Sequence, residues 1–399
     1  MTPPSATETL VLDWLAARRD AMLDLVRTLV DIDSGSYDKA GVDAVGARLR
    51  AFLAEHGVAF SVIANDRFGD AIRAQVNNPA GQVAGPLAGR AANAPVLLLG
   101  HRDTVFPAGE AGRRPFRVAD GRGSGPGCCD MKAGVVINAF VLAAFARFAA
   151  APSPVTALFT ADEEIGSPSS KELIKETARA ARAVFNSEPG RPGGGVVTGR
   201  KGGKFMRIDV VGKAAHAGNN LADGISAIEE LARKIVKLHA LTDLPAGISC
   251  NVGTIAGGQT VNTVAPHATA ELDLRFIHPQ DGARALAAVE AIVAQVHVPG
   301  ARASLEITGE FEPLVAGEAS QRLFAHYAAC AHALGQTVEG VFAGGCADSG
   351  FAASTGAPTL CAVGPIGGRA HSPQEYLEVD SLVPRAQALA LAIMRLDAV

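Results

Sequence analysis

The sequence reads as an α/β protein: a mixed, mostly parallel sheet flanked by helices, with an α+β, ferredoxin-like module inserted into it. Three observations support this. Short apolar runs that do not alternate, VLLLG at 96–100 and residues 155–160, have the pattern of strands covered on both faces. Segments with helical spacing of apolar residues separate such runs. Finally, 44 glycines among 399 residues supply the tight turns that connect strands and helices in α/β proteins.

In chain order, residues 10–30 and 41–56 carry apolar side chains at helical spacing, and 59–63 and 71–76 read as strands. Residues 77–94, rich in Gly, Ala, Asn and Pro, read as an exposed loop or hairpin. Residues 96–100 form a central strand, 135–148 a buried helix, 155–160 a second central strand, 169–181 a helix and 184–186 the start of a third strand. From Lys204 the rhythm changes. A strand at 205–211 precedes an amphipathic helix at 224–239, with Ile225, Ile228, Leu231, Ile235 and Leu238 on one face. Strands at 250–255 and 269–276, a helix at 280–296 and a strand at 303–308 follow. The order β-α-β-β-α-β is that of a split βαβ module. An α/β pattern then resumes with a helix at 320–334, a Gly-rich turn at 343–350, a strand at 358–363 and a helix at 381–396. The expected organisation is one domain split over 1–202 and 314–399, and a second inserted at 203–313.

Lys and Arg total 36 against 40 Asp and Glu, a formal net charge of −4 with no block of like charge. Neither nucleic acid nor an anionic membrane suits such a surface. A hydrophobic share of 48% excludes disorder. The six cysteines, Cys128, Cys129, Cys250, Cys330, Cys346 and Cys361, contain no CxxC and read as reduced thiols of a cytoplasmic protein. Residues 10–30 are interrupted by Asp13, Arg18, Arg19, Asp20 and Asp24, so they are no signal peptide. The longest nearly uncharged run, 135–146, falls short of the roughly 20 residues that span a bilayer. A soluble protein is expected.

Charged groups follow each central strand: His101 and Asp103, then Asp162 to Glu164, then Glu188. In open α/β sheets that edge is where ligands bind. Imidazole nitrogen and carboxylate oxygen are also ligands that zinc takes. His101 and Asp103, two apart on an extended chain, face one side, so Asp103 either bridges two metals or orients His101. Glu163 and Glu164, adjacent on an extended chain, point opposite ways, so one can hold metal while the other faces substrate as a base. Asp130 lies in GPGCCDMK, at the turn opening the helix from Met131, and His371 follows the Gly-rich stretch from Gly364 to Gly368. Alone, each has an ordinary reading: a surface histidine, a helix N-cap for Asp130, solvated charges for the glutamates. Residues 121–127, GRGSGPG, precede a helix as a phosphate loop would, yet fit neither GxGxxG nor GxxxxGK[ST]. Cys128 and Cys129 lack the second cysteine pair of a thiolate zinc site. The joint occurrence at successive strand ends is what favours a metal.

The segments LLLGHRDTV, GPGCCDMKAG, TADEEIGSPSS, NSEPG, GKAAHAG, VNTVAP, LDLRF and GRAHSPQEY appear in this order. Together they resemble the zinc aminoacylase/carboxypeptidase family of metallopeptidases, and within it the glutamate carboxypeptidase branch, over essentially the whole chain. The resemblance implies two zinc ions per chain, with cobalt or manganese able to substitute. It implies that Asp130 bridges them, that His101 and Glu188 complete one site, and that Glu164 and His371 complete the other. Glu163 matches the general base and Asp103 the carboxylate that orients His101. The inserted module matches a lid and dimerisation domain, in which His216 resembles the histidine that reaches across a homodimer to support the oxyanion. Asn262 and Arg275 resemble the groups that hold the substrate's α-carboxylate, and Gly345 falls in the substrate-binding Gly-Gly turn before Asp348. The implied reaction is hydrolysis of the amide bond of a small N-acylated or peptidyl C-terminal amino acid, glutamate for this branch. The alternative is an N-acyl-amino-acid deacylase or dipeptidase of the same family with another side-chain preference. Cys346 stands where that branch has a different small residue, which leaves the preference open. Cys128 and Cys129 are expected to lie beside the metals and to be sensitive to oxidants.

Overall fold

A computed structural model describes residues 3–77 and 93–396; the loop or hairpin expected at 77–94 lies almost wholly outside the described residues. The chain forms two compact units. The first comprises Met1–Gly199, Ala316–Ala343 and Ala347–Val399, the second Arg200–Val315 with Gly344–Cys346.

The first unit is built on eight strands: β1 (Ala59–Ile63), β2 (Ala71–Val76), β3 (Val96–His101), β4 (Val155–Thr160), β5 (Ala183–Asn186), β6 (Val196–Arg200), β7 (Gly340–Ala343) and β8 (Thr359–Cys361). Their order in the sheet is β1-β2-β4-β3-β5-β8-β6-β7. The four central strands, β4, β3, β5 and β8, run parallel. β2 joins β4 antiparallel at one side, and β6 joins β8 antiparallel at the other. Every residue of β3 and β4 is buried, as in strands covered on both faces. His101 pairs with Thr160 and Leu99 with Asn186, so these three strands end at one edge.

Helix Ala133–Phe148 is buried all round from Ala133 to Phe145. The continuous span Cys128–Phe148 is long and apolar enough to cross a membrane by composition, yet 94% of its apolar window is buried within the protein, which marks a core helix. Its polar exception, Asn138, donates to Leu99 O at 3.0 Å and accepts from Ser187 Oγ at 2.6 Å, tying β3 to the segment leaving β5. A Cβ on Gly134 would overlap the Ser187 carbonyl, so only glycine lets the helix approach that segment. The expected helix at 10–30 is two helices, Ala6–Ala16 and Arg19–Val30, because Arg18 leaves the helical range at φ −110°, ψ 13°.

A second sheet in this unit joins Gly367–Gly368, Tyr376–Glu378, Arg122–Ser124 and Arg117–Ala119. Sequence periodicity did not anticipate it, since strands of two or three residues are too short to alternate. In this sheet Arg122–Ser124, within the glycine-rich stretch 121–127 that matches neither phosphate-loop motif, pairs antiparallel with Tyr376–Glu378.

The second unit has four antiparallel strands and two helices, Ala227–His239 and Pro279–Ala294. The sheet order is Ser249–Gly257, His267–Phe276, Gly202–Val211, Arg302–Phe311, the ferredoxin-like arrangement. Ile208, Val210, Leu231, Leu238, Ala270, Leu274 and Val289 fill its core. One ion pair is buried there: Lys234 Nζ lies 2.7 Å from Glu230. Lys234 also donates to the carbonyls of Ile292, Val293 and Gln295, while Glu230 accepts from the amides of His297 and Val298. The pair thereby satisfies the carbonyls that the end of helix Pro279–Ala294 leaves unpaired.

Candidate metal centre and active site

His101 ends β3 and is 1% exposed. Its Nδ1 lies 3.0 Å from the backbone oxygen of Asp103 and 3.4 Å from Asp103 Oδ1, which leaves Nε2 facing the site. The Asp103 carboxylate accepts from Ser36 Oγ at 2.7 Å and from the amides of Glu163 and Glu164 at 3.2 and 3.1 Å. Of the two roles open to it, Asp103 has the geometry that orients His101. Glu163 and Glu164 do not lie on an extended chain. They open the single tight turn Glu163–Ile165, and Asp103 holds that turn by two of its N-terminal amides.

Asp130 sits in the turn Cys128–Lys132, between the left-handed Gly127 (φ 70°) and helix Ala133–Phe148. With φ −109° and ψ 96°, three residues ahead of the helix, it is not the helix cap; its bond to Met131 is cis. Its two oxygens face two histidines: Oδ1 is 3.2 Å from His101 Nε2, and Oδ2 is 3.4 Å from His371 Nε2. Glu164 Oε2 lies 2.9 Å from His371 Nε2, and Glu163 Oε2 and Glu188 Oε1 each lie 3.8 Å from His101 Nε2. His101, Asp130 and Glu164 each offer a ligand atom within 4.8 Å of the others. His371 adopts φ 61°, a conformation unfavourable for a residue with a Cβ and frequent at functional sites. The structure thus gathers His101, Asp103, Asp130, Glu163, Glu164, Glu188 and His371 in one unit.

Crowding of carboxylates dominates the electrostatics. Burial, reinforced by Glu188, Glu164 and Asp348, pushes the Glu163 carboxyl well above its usual range. Burial and Asp130 push Glu164 up to about 7. Hydrogen bonds to Asp130 and Glu164 raise His371 to about 10, and Asp103 and Asp130 hold His101 well up in spite of its burial. Despite its own burial, Asp130 stays below the usual carboxylate range because His101 and His371 flank it. Buried carboxylates outnumber the imidazoles, and a divalent cation would neutralise the excess. The donor set of two imidazoles and several carboxylates fits zinc.

Sequence reasoning missed two supports of this cluster. Glu375, 1% exposed, accepts from the amides of Gly127, Cys129 and Asp130. Asn138 fixes the end of β3 as described above. Neither carries a spacing signal, because each acts on backbone brought close only by the fold. Asp348 is also buried and accepts from the hydroxyls of Ser167 and Thr160; burial pushes it up to about 7. Cys128 and Cys129 are fully buried, and burial raises both thiols far above the ordinary range. Protonated and inaccessible, they do not have the reactivity expected of them.

Beside Glu164 runs a cleft of about 470 Å³, lined among others by Ser36, Tyr37, Asp38, Val105, Phe106 and Ile165, with no Lys or Arg among the described residues of its walls.

The second unit holds the other candidates at two separate places. Arg275 Nε donates to Asp273 at 2.7 Å, and Nη1 lies 2.7 Å from Cys346 Sγ, so the guanidinium is held in place. Gly345 O accepts from Arg200 Nε at 2.8 Å. The exposed His216 accepts at Nδ1 from the amides of Gly218 and Asn219, each at 3.1 Å, so its proton resides on Nε2. Asn262 lies beside it, its carbonyl accepting from the amide of Ala217 at 2.9 Å. These two stand beyond the Val211–His267 end of the sheet, whereas Arg275 pairs with Gly203 at the other end. Eight residues of strand separate the ends, about 25 Å. Within one chain, Asn262 and Arg275 are therefore not brought together on one carboxylate.

A parallel-centred sheet with imidazole and carboxylate groups gathered at its strand ends defines a metallohydrolase. The chain belongs to peptidase family M20/M25/M40, which matches residues 97–395, and is a hydrolase of amide or peptide bonds. It is 28% identical to carboxypeptidase G2 of Pseudomonas sp. (strain RS-16) over 385 residues, covering 95% of this chain and 90% of that protein. It is 31% identical to an acetylornithine deacetylase of Myxococcus xanthus over 269 residues, covering 63% and 65%. Its fold is similar to that of an M20 family metallo-carboxypeptidase of Sulfolobus solfataricus, with a TM-score of 0.77, 17% identity and coverage of 95% and 99%.

Proposed function

We propose that this protein is a di-zinc amidohydrolase that releases a C-terminal amino acid, glutamate in the first instance, from an N-acyl or peptidyl conjugate. The observation that carries the proposal is the placement of Asp130, one oxygen toward His101 and the other toward His371, with Glu188 and Glu164 on the respective sides. In this reading Asp130 would be shared by two metals, His101 and Glu188 would hold one, and Glu164 and His371 would hold the other. Zinc bound there would supply a Lewis acid that polarises the amide carbonyl and acidifies water. Glutamate as the released residue rests on the resemblance of the motifs to the glutamate carboxypeptidase branch, and the likeness to a carboxypeptidase over nearly the full chain supports release of a C-terminal amino acid.

The remaining steps fall to the chain's own groups. Glu163, with its raised pKa, takes a proton from the attacking water on a carboxylate oxygen and passes it to the leaving nitrogen as the C–N bond breaks. Asp103, held by Ser36 and two amides, keeps His101 turned with Nε2 inward. Arg275, already fixed by Asp273, offers the remainder of its planar guanidinium to the free carboxylate of the released amino acid. His216 donates from Nε2 to the developing oxyanion, and its separation from Arg275 favours a homodimer in which it serves the partner's site. The cleft beside Glu164, walled by Tyr37, Val105, Phe106 and Ile165 but also by the carboxylate of Asp38, suits an uncharged rather than an anionic acyl group.

A second reading, deacylation of N-acetylated amino acids with another side chain, is favoured by the match to the Myxococcus xanthus deacetylase. A screen of zinc-loaded protein on N-benzoyl-, N-acetyl- and N-succinylglutamate and on N-acetylornithine decides between them. The expected result is hydrolysis of N-benzoylglutamate, a kcat/KM at least about 10-fold lower for the succinyl compound, and loss of activity on chelation. Faster cleavage of N-acetylornithine would favour the second reading, and turnover unaffected by chelation would contradict both.

A further inference from the structure

We propose that Glu375 is a positioning residue that sets the turn bearing Asp130 and thereby the affinity of the metal centre. The inference rests on the reading of Asp130 as a metal ligand, and it assigns a function to a residue that touches neither metal nor substrate.

The turn Cys128–Lys132 is not regular helix: Asp130 and Met131 both depart from helical dihedrals, and Gly127 before them is left-handed. Such a segment exposes amides without helical partners. Three of them, on Gly127, Cys129 and Asp130, converge on the Glu375 carboxylate at 3.0, 2.8 and 3.0 Å. An ionised carboxylate only accepts, so it matches three donors without conflict. At 1% exposure, no bulk water stands ready to replace it. Losing it would leave three buried donors to find new partners, and the turn would move to find them.

The place of Glu375 in the chain makes this more than local packing. It lies four residues after His371 and immediately before the strand Tyr376–Glu378. That strand pairs with Arg122–Ser124, which leads directly into the Gly125–Gly127 approach to Asp130. Two ligand-bearing segments, some 240 residues apart in sequence, thus meet through one short sheet and one carboxylate. The buried ammonium of Lys132, in the same turn, donates to Ile32 O at 2.8 Å and provides charge of opposite sign. Glu375 therefore fixes the spacing between the Asp130 oxygens and His371. Outer groups of this kind usually change metal affinity by about 10- to 100-fold.

Two substitutions separate positioning from charge. Glu375→Gln keeps a side-chain oxygen at full length for the amides of Cys129 and Asp130 but removes the charge. Glu375→Asp keeps the charge but is one carbon too short to reach them. Zinc affinity is measured by chelator competition on metal-free full-length protein, with the thermal unfolding of each metal-free form as a control. The Asp variant should bind zinc about 10- to 100-fold more weakly than the parent. The Gln variant, whose oxygen still serves the amides of Cys129 and Asp130 while its NH2 faces that of Gly127, should lose less than the Asp variant, and at saturating zinc the KM of both should match that of the parent. The proposal is overturned if the Asp variant binds zinc as tightly as the parent, or if the Gln variant loses as much as the Asp variant. Failure of the parent itself to bind zinc would instead overturn the reading of Asp130, and the parent measurement alone reveals that case.

Discussion

Asp348 and Glu164 are pushed up to about 7 by burial among other carboxylates, and His371 is held up to about 10 by Asp130 and Glu164. Each raised value has a defined consequence for the metal-free protein. An acid whose folded pKa exceeds its unfolded value binds protons more tightly when folded, so Asp348 and Glu164 favour the folded state increasingly as pH falls from about 7 toward 4. The His371 contribution is complete below its unfolded value of 6.5 and is lost as pH rises toward 10. All three act in one direction. The chelated protein should therefore unfold at a higher temperature near pH 6 than near pH 9 by calorimetry, and zinc should flatten that dependence. A midpoint that rises from about pH 6 to about pH 9 without metal would contradict this electrostatic picture. The same residues illustrate what a sequence reveals at this scale. His101, Asp103, Glu163, Glu164 and Glu188 were legible because their types and their places after apolar runs are local facts, and Asp130 and His371 were legible from the glycine-rich motifs that carry them. Glu375 was not, because its partners are backbone amides about 250 residues away.

Elements were legible where burial imposed a pattern. Strands 59–63, 71–76 and 155–160 have the expected bounds, and the ferredoxin-like order of the inserted module was readable from its alternation of periods. The two- and three-residue strands around Gly123 and Gly367 were not, since nothing in so short a segment distinguishes strand from turn. The tight turn at Glu163–Ile165 was misread as extended chain for a related reason. Its conformation depends on Asp103, 60 residues earlier, accepting its amides. Lys234 and Glu230 show the converse. In sequence they are an ordinary helical i,i+4 pair, expected at the surface, yet both are almost fully buried because a second helix ends upon them.

At the scale of the whole molecule, the roughly 25 Å between the His216–Asn262 end and the Arg275 end of one sheet is the decisive distance. If His216 acts in a partner's active site, two inactive proteins can repair each other. A Glu163→Gln chain supplies an intact His216, and a His216→Ala chain an intact Glu163, so each mixed dimer contains one complete site. Random reassociation makes about half of the dimers mixed, so activity should recover to about a quarter of the parent value. No recovery after verified subunit exchange would place His216 in its own chain's site or outside the reaction.

The most direct test of the proposed chemistry concerns Glu163 alone. In Glu163→Gln the side chain keeps its size and loses its basicity, while His101, Asp130, Glu164, Glu188 and His371 remain. Zinc content by elemental analysis and kcat on N-benzoylglutamate are measured on the same preparation. The expected result is two zinc ions per chain, as in the parent, with kcat reduced by about 100- to 10,000-fold. Full turnover with zinc retained would contradict Glu163 as the base. Zinc lost together with activity would make Glu163 a ligand instead.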